Sequence, residues 1–185
     1  MGNQPLLTCG VAAGPLFTAA YALLGAVRPG YNSRRYPVSS LTLGPGGRTQ
    51  TAAFLASGLL SLAFAVGLWR TGSAPWGALL VGAWGAGLLG AGAFRTDPVR
   101  GYPPGTPDQP RRPTPAGTLH DLLSLAGFLA LTAACFTLAP SGPPAWTVYS
   151  IASGVLFATT TALSEHLPHL GGCSSESPSP SAGPG

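Results

Sequence analysis

Five uncharged stretches, each of at least 18 residues, dominate this chain of 185: Leu6–Val27, Thr49–Trp69, Ala74–Phe94, Leu122–Ala139 and Ala145–Leu163. An α-helix needs about 20 apolar residues to cross the hydrocarbon core of a bilayer. All nine arginines and all five acidic residues lie outside these stretches, and lysine is absent. The pattern predicts an all-α membrane protein, a bundle of five transmembrane helices at 6–27, 49–69, 74–94, 119–139 and 145–164. Charge argues against a soluble fold. Soluble domains carry about 25% charged residues, and this chain carries 8%, too few to cover a water-facing surface.

The spans make one transmembrane domain over 6–166, and the Ser/Pro-rich residues 171–185 have the composition of a disordered tail. Two long connections, Arg28–Arg48 and Arg95–Thr118, share one side of the membrane, and two short ones share the other. The long-loop side carries Arg28, Arg34, Arg35, Arg48, Arg95, Arg100, Arg111 and Arg112, whereas the short-loop side carries Arg70 alone. The positive-inside rule then predicts a plasma-membrane protein with the long loops and C-terminus cytoplasmic and the N-terminus outside. The same arginines point to membrane lipids with anionic headgroups as partners. No nucleic-acid partner is expected, because the arginines lack interleaved aromatic rings. No feature of the sequence sets an oligomeric state.

Aromatic placement fits this topology. Trp69, Trp76 and Trp146 fall at the short-loop side, and Tyr31, Tyr36 and Tyr102 at the other, as two interfacial belts would. Small residues at four-residue spacing mark expected packing faces. They are Ala78, Gly82, Ala86 and Gly90 in the third span, Gly10, Gly14, Thr18, Ala22 and Ala26 in the first, and Ser150, Gly154, Ala158 and Ala162 in the fifth. In the second long loop, the run from Tyr102 to Pro107 favours extended or polyproline backbone.

Ionisable residues at membrane depth default to functional candidates, but here Asp97, His120, Asp121, Glu165 and His166 all sit at helix ends on the long-loop side. His120, Asp121, Glu165 and His166, with His169 and Asp97, form a candidate ligand set for a zinc-like ion. Each also has a structural reading. Thr118 and Asp121 fit a capping box opening the fourth helix, and Asp97 before Pro98 fits an Asx turn. Pro168 is expected to keep Leu167 out of a helix. Cys9 and Cys135 read as small apolar helix residues, and Cys173 lies in the tail. No cofactor is predicted and no catalytic motif is present.

Two stretches carry a resemblance. The first is Arg28-Pro-Gly-Tyr31 followed by Val38-Ser-Ser-Leu41 and Leu43-Gly-Pro45; the second is Gly92-Ala-Phe94 with Asp97-Pro98, Gly101-Tyr-Pro-Pro-Gly105 and His120. With their flanking helices they resemble an uncharacterised bacterial membrane family, domain of unknown function 998, across most of residues 9–165. The resemblance implies a bundle, usually of six helices, whose signature residues Arg28, Tyr31, Ser40, Asp97 and His120 meet at one face. It implies no particular activity. The sequence departs from the family pattern at Asp121, where a small residue is expected, and after Ser164, where a sixth helix is expected and a shortened chain is one reading.

Three functions remain open. The first is a helical bundle with a polar loop cap that binds a lipid headgroup or small ligand, with Arg28 or Arg48 pairing with phosphate. The second is a metal-dependent intramembrane lipid hydrolase using His120 and an acidic partner. The third is a small transporter, disfavoured because no ionisable residue lies near the midplane.

Overall fold

A computed structural model describes residues 2–107 and 112–170, with 164–170 described by backbone alone. It is helical, with five helices long and apolar enough to cross a membrane among the described residues. They are α1 (Gln4–Val27), α2 (Gly47–Thr71), α3 (Pro75–Ala93), α4 (Pro115–Leu138) and α5 (Pro144–Leu170). Three of them begin with proline in the first helical position, where the missing N–H costs no hydrogen bond.

Each helix packs on its neighbours in sequence, so the five form a row with α3 at the centre. Small residues bring the central backbones together. A Cβ on Gly58 would lie 2.9 Å from the Gly85 carbonyl, and one on Gly87 would lie 2.8 Å from Gly127 Cα. In lipid, where apolar burial gives no driving force between helices, such close van der Waals contact is what holds them. The buried hydroxyl of Ser57 adds a bond of 3.2 Å from α2 to the Ala13 carbonyl of α1. Phe54, Leu88 and Ala91 form the core at the long-loop end, and Ala65, Val81 and Ala134 the core towards the short loops.

The outer surface is apolar. Val11, Leu23, Leu59, Trp76, Val148 and Leu156 are all exposed, Trp76 at 73%. Water would not tolerate so continuous a patch, and lipid would.

Several boundaries and faces differ from the sequence expectation. Helix α4 starts at Pro115, not 119, and its cap is not a Thr118–Asp121 box. Thr114 is the N-cap, and its hydroxyl accepts the Gly117 amide at 3.0 Å. Thr114-Pro115 is itself a start signal, an N-cap threonine before an N1 proline. Helix α5 continues through Pro168 to Leu170, not 164, since one proline removes a single hydrogen bond and the rest of a turn can persist. The expected tail, 171–185, lies outside the described residues.

The small-residue stripes are only partly buried. Ala86 is exposed, as are Gly14, Thr18, Ala22 and Ala26 of α1 and Ala158 and Ala162 of α5. Four residues advance a helix by about 400°, so each step of a stripe drifts about 40° and leaves the contact face. The run from Tyr102 to Pro107 is not extended. Val99 and Tyr102 bridge each other, and the Thr106 amide returns to the Pro103 carbonyl at 3.1 Å. Gly101 and Gly105 supply the positive φ angles that let it turn.

Candidate functional site

The polar residues gather at the long-loop end, in two groups joined by the Phe54 core. The first group is built on Arg28, just past the end of α1. Its guanidinium donates to the Leu43 carbonyl at 2.7 Å and the Leu41 carbonyl at 3.2 Å. Those carbonyls close the 3-10 turn Val38–Thr42, which carries Ser40. Gly44 and Gly46 lie beside the same guanidinium, so that a Cβ on either would meet it at 3.4–3.5 Å. Arg28 therefore ties the first long loop back to the end of α1.

Tyr31 extends this group across to the second long loop. Its ring meets Tyr102 edge-on at 5.7 Å, and Tyr36 lies 4.9 Å from Tyr102. Tyr102 is 1% exposed. The three tyrosines thus form an aromatic cluster that joins the two long loops. The Tyr31 hydroxyl donates towards the Tyr36 and Pro37 carbonyls at 3.3 and 3.4 Å. Burial, then the neighbouring phenols Tyr21 and Tyr102, push its pKa up to about 12. Arg35 and Arg100 cross-link the loops, each guanidinium donating to the other's carbonyl, at 3.5 and 3.3 Å.

The second group clamps α3 to α4. The Asp97 carboxylate accepts both the amide and the hydroxyl of Thr114, each at 2.8 Å. It therefore ties the start of the second long loop to its end and forms no Asx turn on its own backbone. It also packs on Gly117, where a Cβ would overlap it, so a negative charge sits at the N-terminus of α4, which favours one. His120, one turn further on, is 2% exposed. Its Nδ1 lies 3.0 Å from the Ala91 carbonyl and 3.0 Å from the Phe94 carbonyl. Both partners are acceptors, so Nδ1 carries the proton. These carbonyls end α3 and have no helical partner of their own; His120 caps α3 from the neighbouring helix. Its ring meets Phe54 edge-on at 6.4 Å.

All five signature residues thus lie at one end of the row, but Arg28, Tyr31 and Ser40 serve the loops while Asp97 and His120 serve the α3–α4 junction. Among the described residues no group of three His, Cys, Asp or Glu converges on a metal-sized site. Asp121 is exposed beside His120, and the side chains of Glu165, His166 and His169 lie outside the described residues.

Sequence reasoning missed two features. One is Gln50 in the first turn of α2, fully buried with neither amide atom hydrogen-bonded among the described residues; the Ser40 hydroxyl is likewise buried without a partner. A polar residue inside an uncharged span was the available signal. The other is an open groove of about 390 Å³ between the start of α2 and the end of α3. Thr42, Gly44, Arg48 and Thr51 line one wall, and residues 91–95 the other. Neither the Arg48 nor the Arg95 guanidinium makes a hydrogen bond or ion pair among the described residues, and no carboxylate lines the groove. A second groove, of about 450 Å³ beside Tyr21 and Tyr31, carries no formal charge.

These features define a multi-pass helical membrane protein with a structured polar cap at one end. The sequence model of the family described as "Protein of unknown function (DUF998)" matches residues 11–170, and the chain belongs to that family. No curated protein and no solved structure matches it.

Proposed function

We propose that this protein binds the phosphate of a lipid headgroup in the groove between α2 and α3, at the cytoplasmic face of a bacterial plasma membrane. The observation that carries the reading is the pair Arg48 and Arg95. Arg48 and Arg95, neither with a hydrogen bond or ion pair among the described residues, both line one cavity whose described lining contains no carboxylate. Unpaired cations at a membrane surface attract anionic phosphate, each contributing about 1 kcal/mol, and the guanidinium fork matches phosphate geometry. The cap residues then have a supporting purpose. Arg28 holds the loop that carries Thr42 and Gly44, and His120 holds the end of α3 that carries Arg95. Binding without turnover suits a groove that offers no nucleophile–base pair. Neither the hydrolase nor the transporter reading has a specific observation in its favour.

The test is the lipid retained by detergent-purified protein, read by native mass spectrometry. Arg48→Gln and Arg95→Gln should each lower retention about fivefold, the equivalent of about 1 kcal/mol, while Arg70→Gln at the opposite end should not. Equal retention in all four proteins would overturn the reading. The cytoplasmic placement has its own check. Reporters fused at Ser73 and after Ser164 should report opposite sides, with the second inside.

A further inference from the structure

We infer that Asp97 and Thr114 are positioning residues for Arg95, so that the first turn of α4, which does not line the groove, sets how tightly the groove holds phosphate. The inference rests on the phosphate reading above and goes beyond it by tying the groove's affinity to a third helix. Arg95 is exposed and lies past the last turn of α3. A residue in a free loop has to be ordered when a ligand binds, which costs backbone and side-chain entropy.

The neighbours of Arg95 remove much of that freedom beforehand. One residue before it, the Phe94 carbonyl lies 3.0 Å from His120 Nδ1 of α4. One residue after it, Thr96 is buried. Two residues after it, the Asp97 carboxylate accepts the amide and the hydroxyl of Thr114, the N-cap of α4, each at 2.8 Å. Pro98 follows and narrows the backbone choices of Asp97. The Thr114 hydroxyl also accepts the Gly117 amide at 3.0 Å, so Asp97 is anchored to the frame of a helix. Gly117 completes the clamp. The carboxylate lies where its Cβ would be, and a larger residue there would push Asp97 off Thr114. Arg48 is held separately, in the first turn of α2, where Gly47 packs on the Thr42 carbonyl. The clamp therefore acts on one arginine of the pair.

The test is retention of phosphatidylglycerol by the full chain in detergent, read by native mass spectrometry in double-mutant cycles. Thr114→Val removes the hydroxyl at nearly constant volume. Gly117→Ala crowds the carboxylate and removes no donor or acceptor; alanine also favours a helix over glycine, which guards against a folding failure in Thr114→Val. Each should lower retention about threefold, the scale of ordering one side chain, and Thr114→Ser, which keeps the hydroxyl, should lower it little. The loss should persist in an Arg48→Gln background and vanish in an Arg95→Gln background. A general loosening of the fold would instead lower retention equally in both. That result, or no loss from either variant, would overturn this inference and leave the phosphate reading standing as long as Arg95→Gln alone loses lipid. Full retention in Arg95→Gln would overturn both.

Discussion

His120 is the residue whose role is most sharply testable, because its capping and chemical roles use different ring nitrogens. In His120→Leu the side-chain volume is roughly kept while the Nδ1 donor is lost. The Ala91 carbonyl, in buried surroundings, and the Phe94 carbonyl, partly buried, then have no partner. A buried acceptor left unsatisfied costs about 1–3 kcal/mol. Taking about 2 for Ala91 and about 1 for Phe94 gives a loss of about 3 kcal/mol. For a chain of this size each kcal/mol lowers Tm by about 2–4 °C, so the expected fall is roughly 6–12 °C. In His120→Asn the amide nitrogen stands where Nδ1 stood and carries two N–H donors, so less than half of that loss is expected. Thermal unfolding in detergent, followed by tryptophan fluorescence, reads both variants. Equal losses in the two, or none in either, would refute the capping argument. Metal analysis of the same preparations reads the alternative, since asparagine lacks Nε2. About one zinc-like ion per chain, lost in His120→Asn, would turn the residue into a ligand and bring lipid hydrolysis forward.

Three further outcomes are expected. Tyr31 keeps its proton in the folded cap up to about pH 12, whereas a phenol in the unfolded chain gives it up near pH 10. Between these values the folded state binds more protons, so stability falls as pH rises through that window. Tyr31→Phe should flatten that fall in denaturation series at stepped pH, and parallel curves for the two proteins would count against the assignment. Gln50→Met should stabilise the protein by about 1 kcal/mol, because it removes two buried amide atoms without partners and keeps their volume; a clear loss of stability would mean that the amide is bonded in the native protein. Gly87→Ala should destabilise by about 1–3 kcal/mol, because its Cβ would press on Gly127 Cα and the Leu123 carbonyl, both backbone atoms. Gly82→Ala, with its nearest atom 3.7 Å away, should be close to neutral in the same unfolding assay.

The spans were legible because a bilayer imposes a length and a charge rule that can be counted along the chain, and all five helices fall where the uncharged stretches do. The errors cluster where tertiary structure decides. At the start of α4, sequence logic attached Asp121 to a capping box. The chain instead caps that helix with Thr114 and brings in Asp97 from 17 residues earlier, a partner that no local pattern names. Distance to the spans alone places the tyrosines at a headgroup layer. What that distance leaves out is that two loops can fold on each other, and Tyr102 is buried between them. The small-residue stripes failed in the same way, since a period does not say which face meets a neighbour, and Gly87 meets Gly127 off the stripe.

The arginines show how far composition can carry a functional argument. Eight of them on one side give a topology, but they do not say which are occupied. Arg28 spends its hydrogen bonds on Leu41 and Leu43, and Arg35 and Arg100 bond across the loops. Arg48 and Arg95 are separated by 47 positions and border the same cavity with no partner among the described residues. Helix ends bring them there. Arg48 lies in the first turn of α2 and Arg95 just past the last turn of α3, so the antiparallel pairing of these two helices places both at one depth. The same pairing sets Gly92 and Ala93 on the wall opposite Arg48. The placement of the two arginines therefore follows from two adjacent helices that run in opposite directions, one starting where the other ends.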